Sequence, residues 1–316
     1  MVLATIAGLA GLGVGRGLSW WIGRLTPEQW SLAGVNVMRG WRIVVELGTA
    51  GLFAAFVVAY LEWECQQTPV VRPEEFWRYG RIVSHLILIS LLIAATGTDF
   101  RDYVIPDQIT LAGVLIGVAG AVLSGDLQIV HLWIDWNAEI PGYEGPFIPE
   151  WIRQHHHWHG LAWSLAGLAA GAGVTWLVRL LSSLLLGQPA MGAGDVTLMA
   201  MIGSFLGWQP VAFVLLLAPP CGLAVGLTVR LTTRRRFVPF GPYLAAATVV
   251  VLFSWRWLWM FEFPWTAQQT FSVRRLFGDW QSLVILAGIA LAAFVVLLGL
   301  LRLYRGIPVP KRESND

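Results

Sequence analysis

Charge is what this sequence has least of. Only 13% of its 316 residues are Asp, Glu, Lys or Arg, against 56% apolar, and mean hydropathy is +0.64. That balance lies outside the range of soluble domains. Cysteine is nearly absent: Cys65 and Cys221 stand far apart and form no CxxC pair, so neither a zinc site nor a disulfide framework follows from them. Cys221, inside an apolar run after Pro219-Pro220, reads as a small buried hydrophobe. A net charge of +2 is too small for a nucleic-acid surface. Also missing are the alternating pattern of membrane barrel strands and any internal repeat. What is left is a polytopic all-α integral membrane bundle, its partner the lipid bilayer.

Nine membrane segments are predicted, at about 2–22, 42–60, 82–98, 109–124, 161–186, 195–208, 210–229, 240–257 and 281–303. The sixth is short: 191–208 reads as a tight loop feeding a partial span that ends at Trp208-Gln209-Pro210, where proline forces a boundary. The first lacks a basic leading region and is interrupted by Arg16, which favours a retained helix over a signal peptide. Connections 24–42, 100–108, 187–194, 230–239 and 302–316 hold twelve Lys or Arg; the opposite set (61–81, 125–160, 256–280) holds seven. By the positive-inside rule the N-terminus lies outside and the C-terminus, with Arg302, Arg305, Lys311 and Arg312, on the cytoplasmic side. Thr232-Thr-Arg-Arg-Arg236 is the strongest inside anchor.

The whole of 1–316 reads as a single membrane domain, with 125–160 as an external loop insertion. That loop closes with His155-His-His-Trp-His159. Four crowded histidines without a separated partner motif make a poor transition-metal site. A wet interfacial turn anchored by Trp151, Trp158 and Trp163 is the better reading, so no metal is expected.

Against so apolar a background the acidic residues stand out. Burying a carboxylate in a bilayer costs about 2.5–3.5 kcal/mol on insertion scales, so such groups need a reason. Asp99 ends the third segment and Asp195 opens the sixth. If those helices touch, both carboxyls meet at the cytoplasmic face. Two carboxylates in contact hold one proton between them and act as base and acid together, which suits peptide hydrolysis with water as nucleophile and no cofactor. Gly192-Ala-Gly194-Asp195 would give the backbone dihedrals closed to other residues and let a substrate strand approach; ordinary helix capping by Asp195 is the competing reading. Asp107, after Pro106, is explained as a cap of the fourth helix, and Arg101 with Asp102 as a solvated pair. Glu46 either supports the bundle by a hydrogen bond across helices or lines the site.

These stretches resemble the type IV prepilin peptidase family, intramembrane aspartic proteases of the GxGD kind. Asp99 followed six residues later by Ile105-Pro106-Asp107 is similar to the first family motif, and Gly192-Ala-Gly194-Asp195-Val196 to the second. Weaker echoes keep the family's order from about residue 8 to 250: Arg24-Leu25 with Pro27, Val45-Glu46-Leu47 with Thr49, Gly203 to Trp208, and Phe240-Gly241-Pro242. The resemblance implies a catalytic pair Asp99/Asp195, a peptidase core at 82–254, and a prepilin or pseudopilin substrate of type IV pili or type II secretion, cut at its basic leader.

Three departures are evident. Bifunctional members carry a four-cysteine zinc domain between their first two helices and methylate the new N-terminus; the interval Thr26 to Trp41 has no cysteine, which argues against methylation. Thr197 stands where the family commonly has lysine, so a positive charge beside the second aspartate is expected to be missing. The last helix, 281–303, is an addition. Two other classes stay open: a proton-coupled transporter using paired carboxylates, and a noncatalytic pilus or secretion assembly protein with the same fold.

Overall fold

The computed structural model describes residues 1–25, 35–137, 147–187, 191–233, 239–266 and 269–306. Pro27, Arg234 to Arg236, Lys311, Arg312 and the middle of the 125–160 loop lie outside the described residues. The helices are α1 (Val2–Leu25), α2 (Val35–Leu61), α3 (Glu75–Asp102), α4 (Asp107–Ser124), the short α5 (Glu150–Gln154), α6 (His156–Leu186), α7 (Ala193–Leu206), α8 (Trp208–Thr233), α9 (Gly241–Trp259), the short α10 (Val273–Gly278) and α11 (Trp280–Gly306). Every predicted segment is a helix. Among the described residues, seven helices are long and apolar enough to cross a membrane, namely α1, α2, α3, α4, α6, α8 and α11. The sixth segment is the short one, as expected: α7 has 14 residues, about 21 Å at the helical rise.

One element departs from the all-α reading. Strands β1 (Glu262–Thr266) and β2 (Gln269–Ser272) form an antiparallel hairpin in the connection between α9 and α10. Phe263 pairs with Phe271, ring centroids 4.9 Å apart, an aromatic cross-strand pair of the kind that stabilises short ladders.

Lipid supplies no hydrophobic force between helices, so close packing depends on small residues. A methyl group added to Gly11 or Gly15 of α1 would lie 2.7 Å from the Cα of Ala50 or Glu46 in α2. The α6/α7 contact is tighter. A Cβ on Gly167 would fall 2.1 Å from the Gly203 carbonyl oxygen, and one on Gly171 at 2.1 Å from that of Met199. The Ser164 hydroxyl donates to the Ser204 carbonyl at 2.7 Å in the same seam.

The end of the bundle remote from Asp99 is closed by the segment following α4. Its buried backbone carbonyls need donors. Arg81 of α3 donates to those of Asp126 (3.1 Å) and Gln128 (2.6 Å), Trp255 of α9 to Ile129 (3.1 Å), and Trp208 and Gln209 of α8 to Leu132 and His131 (both 2.8 Å). Of the histidines, His159 is buried and accepts the Leu132 N–H at 3.1 Å, whereas the exposed His157, its ring 4.4 Å from that of His156, has its Nδ1 2.8 Å from the Val122 carbonyl. Trp151 and Trp158 are exposed, in keeping with headgroup anchors. Trp163 is not an anchor. It is buried, and its indole lies under Gly207, whose positive φ of 81° turns the chain from α7 into α8.

Candidate active site

Asp99 sits in the last turn of α3 and is 5% exposed; Asp195 sits in the first turn of α7 and is 7% exposed. Helix α3 ends because Tyr103 takes the left-handed conformation (φ 56°), returning its N–H to the Asp99 carbonyl at 3.0 Å. Pro106 then fixes the entry to α4. This reversal folds Ile105 back into the bundle, where it is 5% exposed.

Ile105 is the spacer between the two motifs. A Cβ on Gly194 would lie 3.0 Å from the Ile105 Cβ, and one on Gly241 would lie 3.0 Å from the Ile105 Cδ1 and 2.5 Å from the Asp99 Oδ2. The carboxylates are therefore held around one apolar side chain, and Asp195 is near enough for its charge to act on Asp99.

Each carboxylate is gripped the same way. The Gly241 N–H, at the start of α9, donates to the Asp99 Oδ2 at 3.1 Å, and the Gly192 N–H, at the start of α7, donates to the Asp195 Oδ2 at 3.1 Å. Helix N-terminal amides are free donors with a positive field, so they orient an anion well. Asp195 thus does cap its helix, reaching back from the third position as the acid of a capping box does. Capping occupies one oxygen and leaves the other for chemistry. Among the described residues, no second hydrogen bond reaches either carboxylate.

Several expectations need correction. Neither Gly192 nor Gly194 has positive φ; Gly192 is extended (φ −69°, ψ 159°), so these glycines serve close approach to Asp195 and Ile105, not unusual dihedrals. Asp107 is not the cap of α4. Pro106 occupies that position, and Asp107 is the exposed first residue, making no capping hydrogen bond. Glu46 is half-buried, its backbone against Gly15 of α1, and among the described residues its carboxylate makes no hydrogen bond across helices.

Thr197 is uncharged, and the positive charge that acts on Asp195 comes from another helix. Arg179 of α6 is close enough for its charge to act on Asp195. The glycine seam explains why: Gly167 faces Gly203 and Gly171 faces Met199, so this antiparallel register sets Asp195 opposite Thr175, one turn from Arg179. From the sequence Arg179 stands out only as an ionisable residue inside an apolar segment. Gly241 was likewise visible only as part of Phe240-Gly241-Pro242, with nothing to tie it to Asp99.

Residues 151–227, which contain Gly192 to Asp195 but not Asp99, match the family model described as the type IV leader peptidase family. A prepilin leader peptidase/N-methyltransferase of Pseudomonas putida is 32% identical over 177 residues, 54% of this chain and 50% of that protein. One of Burkholderia pseudomallei (strain 1026b) is 31% identical over 177 residues, 55% of this chain and 47% of the relative, and one of Xanthomonas campestris pv. campestris is 28% identical over 192 residues, 59% and 56%. The chain spans about half the length of the curated relatives it matches. No solved structure matches it significantly.

Proposed function

We propose that this protein is an aspartic endopeptidase of the inner membrane that removes the basic leader of a type IV prepilin or pseudopilin, with Asp99 and Asp195 as its catalytic pair. The observation that carries the reading is the paired grip described above: two nearly enclosed carboxylates, each with one oxygen held by a helix-start amide, placed around Ile105. The similarity to prepilin leader peptidases supports the substrate class.

In the proposed reaction the pair holds one proton. The ionised member takes a proton from water, whose oxygen attacks the scissile carbonyl, while the protonated member donates to the carbonyl oxygen. Collapse of the tetrahedral intermediate breaks the C–N bond: the leaving amine receives the proton taken from water, and the proton given to the carbonyl oxygen returns to the carboxylate that donated it, so the pair again holds one. No metal is needed. The excess of basic residues in the connections on the Asp99 side supports a cytoplasmic site, so that the leader is released inside and the apolar helix stays in the bilayer. Methylation of the product is not part of the proposal, because the interval between α1 and α2 lacks the cysteines of the bifunctional relatives' zinc domain.

The test uses proteoliposomes holding the protein and a candidate prepilin, read by product mass. Wild type is expected to trim the leader, and Asp99→Asn and Asp195→Asn each to leave the precursor whole. Cutting by both mutants would reduce the two aspartates to structural caps.

A further inference from the structure

Beside the candidate catalytic turn lies an apolar cleft that the hydrolytic chemistry itself does not use. It has a volume of about 370 Å³ and lies between α2, α3 and α9, with Val225 of α8 at its edge. On α3 its wall runs from Phe100, next to Asp99, back to Ile89. On α9 it runs from Pro242, next to the Gly241 that holds Asp99, to Val249. On α2 it runs from Trp41, which approaches Gly97, two residues from Asp99, to Leu52. The α3 and α9 walls thus start one residue from Asp99 and one residue from the Gly241 that holds it, and lead away from them; the carboxylates themselves do not line the cleft.

We infer that this cleft seats the first part of the substrate's own apolar helix, the segment directly after the scissile bond; the inference rests on the peptidase reading. Length fits: the walls on α2 and α3 each span twelve residues, about 16 Å from end to end, or about three turns of a helix laid alongside. Chemistry fits as well. The lining is apolar apart from two threonines, and the Thr49 hydroxyl is spent on the Val45 carbonyl at 2.7 Å, so that side chain adds no demand for a polar ligand. Gly48, Ala245 and Ala246 leave the walls shallow enough for a helix backbone to approach, as membrane helix pairs require. A Cβ on Gly48 would meet nothing within 4 Å, so that face is open. Continuity with the catalytic turn is what selects a substrate helix over a lipid chain. A helix seated here has its N-terminal end at Asp99, where the cut must fall.

The experiment places a benzophenone amino acid at Val44, an exposed residue of the cleft wall, or at Leu115, exposed on α4 and away from it. The probe is a synthetic precursor with a short basic leader and an apolar helix of about twenty residues. Trapping is read in Asp195→Asn proteoliposomes, and cutting in parallel with wild type. Crosslinking of the precursor at Val44 but not Leu115 is expected. Gly48→Leu, which fills the cleft, should lower the Val44 yield about tenfold, while Gly51→Leu, one turn on, outside the cleft and equally free of neighbours, should not. Crosslinks at Val44 to lipid alone, or to a second copy of this chain, overturn the inference. So does equal trapping at both positions. Cutting by wild type without trapping at Val44 overturns the cleft and leaves the peptidase reading standing. Trapping without cutting keeps the cleft and overturns the peptidase.

Discussion

The Gly241 amide donates to the Asp99 carboxylate at 3.1 Å across 142 residues of chain. This bond ties the end of α3 to the start of α9, and it leaves no room for a side chain at 241: a Cβ there would lie 2.5 Å from the bonded oxygen. Gly241→Ala should therefore push the carboxylate aside while both helices persist. A displacement of this size costs about a hundredfold in rate. The check is kcat/KM for leader removal beside an unfolding curve; wild-type rate in a folded Gly241→Ala protein would contradict the assigned role of this contact.

On the proposed reading the Arg179 charge, which acts on Asp195 from α6, serves the pair. Arg179→Gln should lower kcat/KM about tenfold, the effect of a little over 1 kcal/mol at the transition state. Arg179→Lys should retain most of the activity. The decisive variant is Arg179→Gln combined with Thr197→Lys, which returns a positive charge from α7 itself and is expected to restore the rate. Failure of that rescue, with the protein folded, would mean that Arg179 acts by packing and not by charge.

The seam between α6 and α7 sets the depth of Asp195. Because an added methyl at Gly171 would sit 2.1 Å from the Met199 carbonyl oxygen, a backbone atom that cannot rotate away, Gly171→Ala must separate the helices. Loss of activity together with a lower unfolding temperature is expected. Gly173→Ala, with nothing within 4 Å of its Cβ, should leave both unchanged.

Cys65 lies outside the spans, buried, with its thiol 3.6 Å from the Leu252 carbonyl. Burial pushes this thiol up to about 12, so the reactive thiolate is scarce at pH 8. In a Cys221→Ser background, maleimide should leave the native protein unlabelled at pH 8 and label it once after denaturation. Rapid native labelling would show that the connection between α2 and α3 is open.

The helices were legible because apolar run length is a one-dimensional property, and so were the two aspartates, each a costly charge at the edge of such a run. Their partners were not. Gly241 reaches Asp99 only through tertiary packing, and Arg179 reaches Asp195 only through the antiparallel glycine register. The hairpin escaped because its strands have 5 and 4 residues, too short for a period to show, and depend on the Phe263–Phe271 contact. Trp163 was misplaced for a related reason: next to an interfacial loop its composition suits a headgroup anchor, and only the turn at Gly207 reveals the slot that buries it.

Whether Asp99 and Asp195 act as one unit on a shared proton is decided by a double-mutant cycle. Leader removal would be measured for wild type, Asp99→Asn, Asp195→Asn and the double mutant under single-turnover conditions. Members of one catalytic unit are strongly non-additive. For a shared-proton pair each single mutant is expected to fall to a common floor and the double mutant no further. Independent losses that multiply in the double mutant, or a single mutant that still cuts at a substantial rate, would contradict the shared proton.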